Sequence, residues 1–360
     1  MDGYAVIAAD TTGANGTSPV NLHVIENLSA GYIAEQRVTA GTAIRIMTGA
    51  PIPEGADSVI PFEETEQTGD TVALYSDVTA GKNVRFAGED VKTGDHVLSP
   101  GKRIRPQEIG MLAALGYANV KVIRRPRVAI LATGDELVAV DAPLAPGKIR
   151  NANEYSNAAQ VMKYGGIPLM LGIAQDTIAD LTQKIQTGLA MGADLLLTSG
   201  GVSVGDFDVV KQVLVTEGEM TFWRVRMKPG KPLAFGVISA EIHGQRRSVP
   251  VLGMPGNPVS AMVSFELFVR AAILKMSGFA EVAHPTVAVI LDDPITSKDQ
   301  RRHYVRVDIT QRDGEYHAAL TGEQGSGILN SMVLANGLAI IPEDWTSASA
   351  GVRVKAIWLD

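Results

Sequence analysis

Two patterns of hydrophobic and polar positions divide the chain. Between residue 127 and about residue 278, uniformly apolar runs such as RVAILAT, IPLMLGIA, ADLLLTS and SVPVLGM alternate with segments of helical periodicity. Those segments are NEYSNAAQVMKYGG, TIADLTQKIQTGLAMG, DFDVVKQVL and PVSAMVSFELFVRAAILKM. Short apolar runs between turn residues are typical of strands buried on both faces. Their alternation with helices predicts a multidomain protein whose central domain is a doubly wound, mostly parallel α/β sheet.

The two ends of the chain carry a different pattern. Residues 1 to 85 contain short alternating runs, such as residues 20–25 and 71–74, which predict a small β domain. Residues 86–124 hold a short helix, PQEIGMLAALG, with Pro106 near its start and Gly116 at its end. The α/β domain is expected over residues 125–278. Residues 283–360 alternate again (TVAVIL, YVRVDI, GLAIIP, VRVKAIW), which predicts a C-terminal β barrel or sandwich.

Composition narrows the class of protein. The 360 residues are 46% hydrophobic and 20% charged, which is ordinary for a chain that buries a large core. The net charge of -7 argues against binding nucleic acid or an anionic membrane. No apolar stretch approaches the ~20 residues of a membrane span, and no secretory leader opens the chain. We therefore expect a cytoplasmic protein with neither nucleic acid nor membrane as a partner.

Metal chemistry at this chain has to rest on oxygen ligands. Cysteine is absent, which excludes disulfides, thiolate nucleophiles and cysteine-based metal sites. The six histidines are scattered and form no HExxH motif. A zinc or other transition-metal site built from side chains is therefore not expected.

The loops after the four apolar runs are the places where a ligand should bind, because ligands of open α/β sheets lie beyond the carboxyl ends of the strands. These loops are TGDELV, AQDT, TSGGVSVGDFD and MPGNPVS. Each leads towards a helix N-terminus, which favours anions, and glycine lets a bulky anion approach the backbone. In the last loop, Asn257 is a plausible N-cap and Pro258 a first-turn residue. None of the loops is a GxGxxG or Walker motif.

Three of the four loops carry carboxylates, at Glu136, Asp176, Asp206 and Asp208. Carboxylates repel an anionic ligand unless a divalent cation lies between them, and Mg²⁺ commonly bridges carboxylates and phosphates. The alternative is that the aspartates only cap helices and pair with the helix dipole. For Asp176 and Asp206 both interpretations stay open.

A third feature is the basic stretch FWRVRMKPGKPLAFG. Arg224, Arg226 and Lys228 are spaced by two residues, so on one strand they would share a face, and Lys231 follows a Pro-Gly turn. The stretch predicts an anion-binding stripe; the alternative is a solvated edge strand protected by its charges. Together, these patterns predict an α/β domain that binds a phosphorylated or nucleotide-like ligand with Mg²⁺, flanked by two β modules.

Several long motifs also resemble one known family. TSGGVSVGDFDVVKQVL, VRMKPGKPLAFG and LGMPGNPVSAMVSFELFV resemble the molybdopterin molybdenumtransferase family, which comprises bacterial MoeA and the E domain of gephyrin. The similarity extends through MDGYAV, GTAIRIMTGAPIPEGADSVIPFEE, RFAGEDV, ATGDEL and GKIRNANEYS, and so covers nearly the whole chain. Family members usually carry a further segment before MDGYAV, so we expect one here.

The resemblance implies a reaction and an assembly. The reaction is insertion of molybdenum from molybdate into adenylylated molybdopterin, with Mg²⁺, giving molybdenum cofactor and AMP. The dithiolene sulfurs that hold molybdenum belong to the ligand, which is compatible with a chain without cysteine. Members are elongated homodimers in which the opposing subunit closes over the pterin site of the α/β domain. A molybdopterin adenylyltransferase is the implied upstream partner.

The resemblance also assigns site residues. The acidic ones are Asp2, Asp90, Glu136, Asp176 and Asp208, and the basic ones are Arg85 and Lys228. Glu136, Asp176 and Asp208 would hold Mg²⁺ or orient the attacking oxygen. Arg85 and Asp90 would complete the site from the other subunit. Arg224 occupies a position where some members carry lysine. The ligand-binding loops comprise Thr198, Ser199, Gly200, Gly201, Val202, Ser203, Gly205, Arg224, Lys231, Pro255, Gly256, Asn257, Pro258 and Ser260. In the C-terminal module, Arg301 or Arg302 and Ser326 fall near site positions.

Two other functions compete with this one. A non-enzymatic scaffold of the gephyrin E-domain type would bind pterin or peptides without turnover, but it would not require the catalytic carboxylates. A pterin adenylyltransferase or nucleotide amidase could use the same sheet, but the long β modules argue against it.

Overall fold

The computed structural model describes residues 1–200, 213, 218–242 and 245–359, which fall into two compact units, Met1–Ser99 and Pro100–Asp360. The first unit is a mixed sheet. Its six strands lie in the order β4-β1-β3-β2-β6-β5, and only β2 and β3 run parallel. The small N-terminal β domain is therefore confirmed. The strands are β1 Gly3–Val6, β2 Val20–Leu28, β3 Thr42–Ile46, β4 Ser58–Pro61, β5 Thr65–Thr68 and β6 Thr71–Leu74.

The second unit opens with helix α1, Pro106–Ala114, which the sequence predicts from Pro106 and Gly116. Pro106 occupies the first turn, where a missing N–H costs nothing. The Glu108 carboxylate accepts from the backbone N–H of Arg105 at 3.0 Å and from Nη2 of the Arg105 side chain at 2.7 Å. Gly116 follows the helix with φ +80°, as a C-terminal glycine does.

The central sheet has the predicted mostly parallel topology. Its order is β10-β7-β11-β15-β14-β12; the first four strands are parallel, and β14 and β12 add an antiparallel edge. The sheet strands are β7 Arg127–Thr133, β10 Ile167–Ala174, β11 Leu195–Ser199, β12 Gly218–Arg224, β14 Pro232–Ile242 and β15 Gln245–Met254. Three short strands lie outside it: β8 Leu137–Val138, β9 Ile149–Arg150 and β13 Met227–Lys228.

Helices cover both faces of this sheet. They are α2 Asn153–Lys163, α3 Ile178–Ala190, α4 Pro258–Ser264 and α5 Arg270–Met276, with a π-helical turn, Phe265–Val269, between the last two. On one face α3 packs Leu181 and Ile185 against Leu131 and Leu196. On the other, α2 and the α4–α5 segment cover Ile130 and Leu197. Burial on both faces explains why these strands are uniformly apolar in the sequence.

The C-terminal region is a closed barrel. Five strands pair in a ring, β18-β19-β16-β22-β20, and β20 closes it on β18. The barrel alternative of the prediction is therefore confirmed over the sandwich. The strands are β16 Thr286–Leu291, β18 Arg302–Arg312, β19 Glu315–Leu320, β20 Gly337–Ile341 and β22 Arg353–Trp358, with a small ladder of β17 Ile295–Thr296 and β21 Ser347–Ala348 and a short helix α6, Asn330–Val333.

In the part of the chain that the structure describes, no helix has both the length and the apolar character that a membrane crossing needs.

Candidate functional site

The four parallel strands end at one edge of the central sheet, and the loops that follow them contact one another in the same order. In the loop after β10, the Asp176 N–H donates to Oδ1 of Asp135, after β7, at 3.3 Å. In the loop after β11, the Gly200 N–H donates to the Met254 carbonyl at the end of β15, at 3.1 Å. The edge predicted to bind a ligand is thus a continuous row of loops.

One end of this row is acidic. Burial, together with the nearby Asp135 and Glu136 carboxylates, raises the pKa of Asp176 above its ordinary value. Like charges gathered in this way disfavour ionisation unless a cation joins them. Asp135 was not among the predicted site residues, although it directly precedes Glu136 in TGDEL.

Asp176 does not cap α3 through a hydrogen bond, because other residues take that role. The Thr177 Oγ1 accepts from the Asp180 N–H at 3.3 Å, and the Asp180 carboxylate accepts from the Gln175 N–H at 2.7 Å. Asp176 therefore precedes the N-cap without a capping hydrogen bond; the residue as a whole is exposed, and only partial burial acts on its carboxyl.

A complete metal cage is not formed by the described residues alone: among them, no three acidic or histidine side chains are close enough to hold an ion together. The predicted third ligand, Asp208, lies outside the described residues, as do Asp206, the rest of the DFDVVKQVL segment apart from Val213, and the loop positions Gly201, Val202, Ser203 and Gly205.

In the middle of the row, the backbones of neighbouring loops approach each other closely at two glycines. Gly200 has φ +96°, and a Cβ there would lie 2.6 Å from the carbonyl oxygen of Thr133. A Cβ on Gly256 would lie 3.6 Å from the Gly200 Cα, so the loops after β11 and β15 touch through two glycines. Beneath them, the buried hydroxyls of Thr198 and Ser199 have no hydrogen-bond partner within the described residues.

The loop MPGNPVS is held from two sides. Nδ2 of Asn153 donates to the Gly256 carbonyl at 2.7 Å. Asn257 takes the N-cap position of α4, but its side chain does not cap; its Nδ2 instead meets Oγ of Ser326 at 3.0 Å. Pro258 occupies the first turn as predicted, while Pro255 and Ser260 are buried. Asn153 was not among the predicted site residues. The pattern that could have indicated it is an asparagine at the start of a predicted helix, the second one in RNANE.

The basic stretch corrects one prediction. Arg224, Arg226 and Lys228 do not share one strand: β12 ends at Arg224, the chain bends at Arg226, and Lys228 lies in β13. The reason is non-local, because Met227 and Lys228 pair in parallel with Arg302 and His303 of the barrel strand β18. Arg224 and Lys231 are exposed, and neither forms an ion pair with another described residue.

Lys228 joins a charged cluster at this junction. Its Nζ lies 3.6 Å from Oδ2 of Asp299, and that carboxylate also contacts Arg301 at 2.5 Å and His303 at 2.8 Å. Burial would raise the pKa of Asp299, but the hydrogen bonds from Arg301 and His303 outweigh it and hold the pKa well below the usual range. Arg302 points elsewhere and pairs with Glu343 at 2.9 Å. Asp299 therefore keeps its negative charge among three basic groups, Lys228, Arg301 and His303.

The remaining predicted residues belong to the N-terminal unit. Oδ1 of Asp2 accepts from the Thr48 N–H at 2.7 Å, and this hydrogen bond lowers the pKa of Asp2. Arg85 forms an exposed ion pair with Glu89 at 3.0 Å. Asp90, the residue after Glu89, is also exposed.

Comparison with known proteins agrees with this architecture along the whole chain. Residues 1–116 match the MoeA N-terminal region (domain I and II), residues 129–275 a probable molybdopterin binding domain, and residues 288–359 the MoeA C-terminal region (domain IV). A molybdopterin molybdenumtransferase from Nostoc sp. is 38% identical over 364 residues, covering 100% of this chain and 82% of that protein. The chain belongs to the molybdopterin molybdenumtransferase family.

Other molybdenumtransferase relatives agree. Molybdopterin molybdenumtransferase 2 from Mycobacterium tuberculosis is 37% identical, covering 99% of this chain and 87% of that protein. A solved molybdopterin biosynthesis MoeA protein from Pyrococcus horikoshii matches with a TM-score of 0.80 at 31% identity, covering 100% of this chain and 86% of that one. The family resemblance drawn from the motifs, and the fold it implied, are confirmed.

Proposed function

We propose that this protein is a molybdenumtransferase that inserts molybdenum from molybdate into adenylylated molybdopterin, releasing AMP and molybdenum cofactor. One observation carries the proposal: the loops after the parallel strands meet in a row, acidic at Asp176 and open-backboned at Gly200 and Gly256. Such a row suits a ligand that carries both phosphates and a bound cation. The names of the relatives supply the substrate class.

Mg²⁺ is the cation that the acidic end fits best. Magnesium usually takes one or two carboxylates and completes its shell with water and substrate phosphates, so a full protein cage is not needed. Glu136 and Asp176, with Asp208 as a further candidate, would hold it. When bound, Mg²⁺ would neutralise the phosphoanhydride that joins the pterin phosphate to AMP.

The basic residues would act on the anionic groups of the substrate. Lys228 and Lys231, either side of the Pro-Gly turn, and Arg224 at the end of β12 would offset charge that develops at phosphorus. Asp299 would hold Lys228 in place, because its carboxylate lies 3.6 Å from Nζ. The glycines of the loops would let the phosphates approach the backbone N–H groups.

The proposal includes an assembly. We expect a homodimer in which Arg85 and Asp90 serve the site of the opposing subunit, with Arg85 as a cation suited to molybdate. A molybdopterin adenylyltransferase would supply the substrate.

The test is a defined reaction. Purified protein is mixed with adenylylated molybdopterin, Mg²⁺ and molybdate, and AMP release is followed together with reconstitution of a molybdenum-free apo-enzyme. AMP release that depends on both metal components is expected, and Asp176→Asn should reduce it. Tight substrate binding with no AMP would instead favour a pterin-binding scaffold.

A further inference from the structure

Arg306 is the feature of the barrel that the proposed function does not use. It lies on β18, its residue is only 1% exposed, and it is among the largest fully buried side chains. Burial lowers the pKa of its guanidinium to about 10. No carboxylate of the described residues forms an ion pair with it. A buried cation without a counter-ion is costly unless neutral acceptors use its N–H groups.

Those acceptors all come from one loop and the helix that follows it, residues 321–331. Nε of Arg306 donates to Oγ of Ser331 at 3.1 Å. Nη2 donates to the carbonyl oxygens of Glu323 at 3.3 Å and Gly325 at 3.0 Å. The Ser331 hydroxyl in turn donates to the Ile328 carbonyl at 2.6 Å. One planar guanidinium thus ties together several points of a glycine-rich segment.

The main chain of Arg306 holds the same segment. Its N–H donates to Oε1 of Gln324 at 2.9 Å, and its carbonyl accepts from Nε2 of Gln324 and Oγ1 of Thr321, both at 3.2 Å. The loop therefore wraps around Arg306 from both ends.

The far side of this loop reaches the candidate site. Oγ of Ser326 meets Nδ2 of Asn257 at 3.0 Å, and the Ser326 carbonyl accepts from the Val259 N–H at 3.1 Å. Ser326 is one residue from Gly325, whose carbonyl Arg306 binds. Arg306 and the MPGNPVS loop therefore bind adjacent residues of the same segment, Gly325 and Ser326.

We propose that Arg306 is a positioning residue, which fixes residues 321–331 so that Ser326 holds the Asn257 loop in its substrate-binding form. The role rests on the proposed function for its catalytic readout, but not for its structural one. Arginine suits it because its fork presents five N–H groups in fixed directions, whereas lysine presents a single ammonium.

The test compares Arg306→Lys with wild type by hydrogen–deuterium exchange and by steady-state kinetics. We expect faster amide exchange confined to residues 321–331, and a rise of about tenfold in KM for adenylylated molybdopterin with a smaller fall in kcat. Arg312→Lys is the matched control, because Arg312 lies on the same strand and pairs with Asp292 at the surface at 2.8 Å. It should leave loop exchange and KM unchanged.

A second variant keeps the test open if Arg306→Lys does not fold. Ser331→Ala removes one acceptor of the guanidinium and should shift loop exchange and KM in the same direction, by less. In Arg306→Ala, added guanidinium chloride at millimolar concentration should restore part of the lost affinity.

The outcomes separate the two ideas. Unchanged loop exchange and KM in a folded, active Arg306→Lys protein would overturn the positioning role. Wild-type protein without AMP release would overturn the proposed function, while the exchange experiment would still decide whether Arg306 holds the loop.

Discussion

At the scale of single residues, Asp176 lies where its surroundings disfavour the ionised form of its carboxyl. Its carboxyl neither caps α3 nor forms an ion pair with another described residue, and burial with the Asp135 and Glu136 charges raises its pKa. A group placed against its own electrostatic preference is more often found at a functional site than elsewhere. This is the same property that makes it a candidate Mg²⁺ ligand.

Asp176→Asn should therefore stabilise the protein while weakening Mg²⁺ binding. A carboxyl whose pKa is raised on folding costs stability once pH exceeds its ordinary value of 3.8, so the gain should appear at neutral pH and vanish below about pH 3.8. The Tm at neutral pH without Mg²⁺ should rise slightly, and Mg²⁺ affinity, measured by calorimetry with a phosphate ligand, should fall about 10–100-fold. Asp180→Asn, which weakens the α3 cap, should instead lower the Tm. A Tm for Asp176→Asn below that of wild type would contradict the electrostatic account.

Gly200 makes a second prediction at this scale. Gly200→Ala combines a positive φ with a Cβ placed 2.6 Å from a backbone carbonyl, so either the loop or β7 must shift. The free energy of unfolding should fall by about 1–3 kcal/mol, and AMP release should fall with it. Chemical denaturation measures the first. Gly256→Ala is the matched control for stability, because its Cβ meets only an ordinary contact at 3.6 Å.

At the scale of elements, the uniformly apolar strands were predictable and the basic stretch was not. Runs such as RVAILAT are apolar because both faces are covered, so the local pattern carries the answer. In FWRVRMK the alternation of charges imitates one continuous strand, yet Met227 and Lys228 leave it to pair with Arg302 and His303, far along the chain. A local pattern does not encode that pairing. For the same reason, closure of the barrel depends on the β18–β20 ladder and not on the individual strands.

The candidate site likewise contains residues that the sequence could predict and contacts that it could not. Glu136, Asp176 and the glycines follow strand ends and could be found from the sequence. The contacts of Asn257 with Ser326, and of Lys228 with Asp299, join segments that only the tertiary fold brings together.

The start of α1 gives a prediction for pH. The hydrogen bonds from Arg105 lower the pKa of Glu108 from 4.5 to about 2, so its contribution to stability is complete above about pH 4.5 and is lost as pH falls towards 2. Wild type should lose more Tm than Glu108→Gln between about pH 5 and about pH 2. Thermal unfolding followed by circular dichroism checks this, with Glu281→Gln on an exposed segment as the charge control. Parallel pH profiles for wild type and Glu108→Gln would show that Glu108 does not supply the difference.

At the scale of the whole molecule, the proposed homodimer can be tested by mixing variants. Asp90→Asn and Asp176→Asn should each abolish most AMP release. If Asp90 of one subunit serves the opposing subunit's Asp176, a mixed dimer keeps one intact site of two and should recover about half the activity per dimer. Differently tagged chains, refolded together and purified through both tags, provide the sample. No recovery in the mixed dimer would place both residues in the site of a single chain.

The strand β13 has a consequence for how this protein can be divided. Met227, 2% exposed, shares one apolar cluster with Val259 and Val263 of α4 and with Met332, Leu338 and Ile357 of the C-terminal region. A fragment ending near residue 278 would keep Met227, Val259 and Val263 but remove their partners from the C-terminal region. Each of these three side chains left exposed would cost about 1.5–3 kcal/mol. Although separate family models match residues 129–275 and 288–359, the two regions form one mechanical body. A domain exchange, whether by natural recombination or in the laboratory, would have to move β13 and the barrel together. The segment to exchange is therefore residues 100–360.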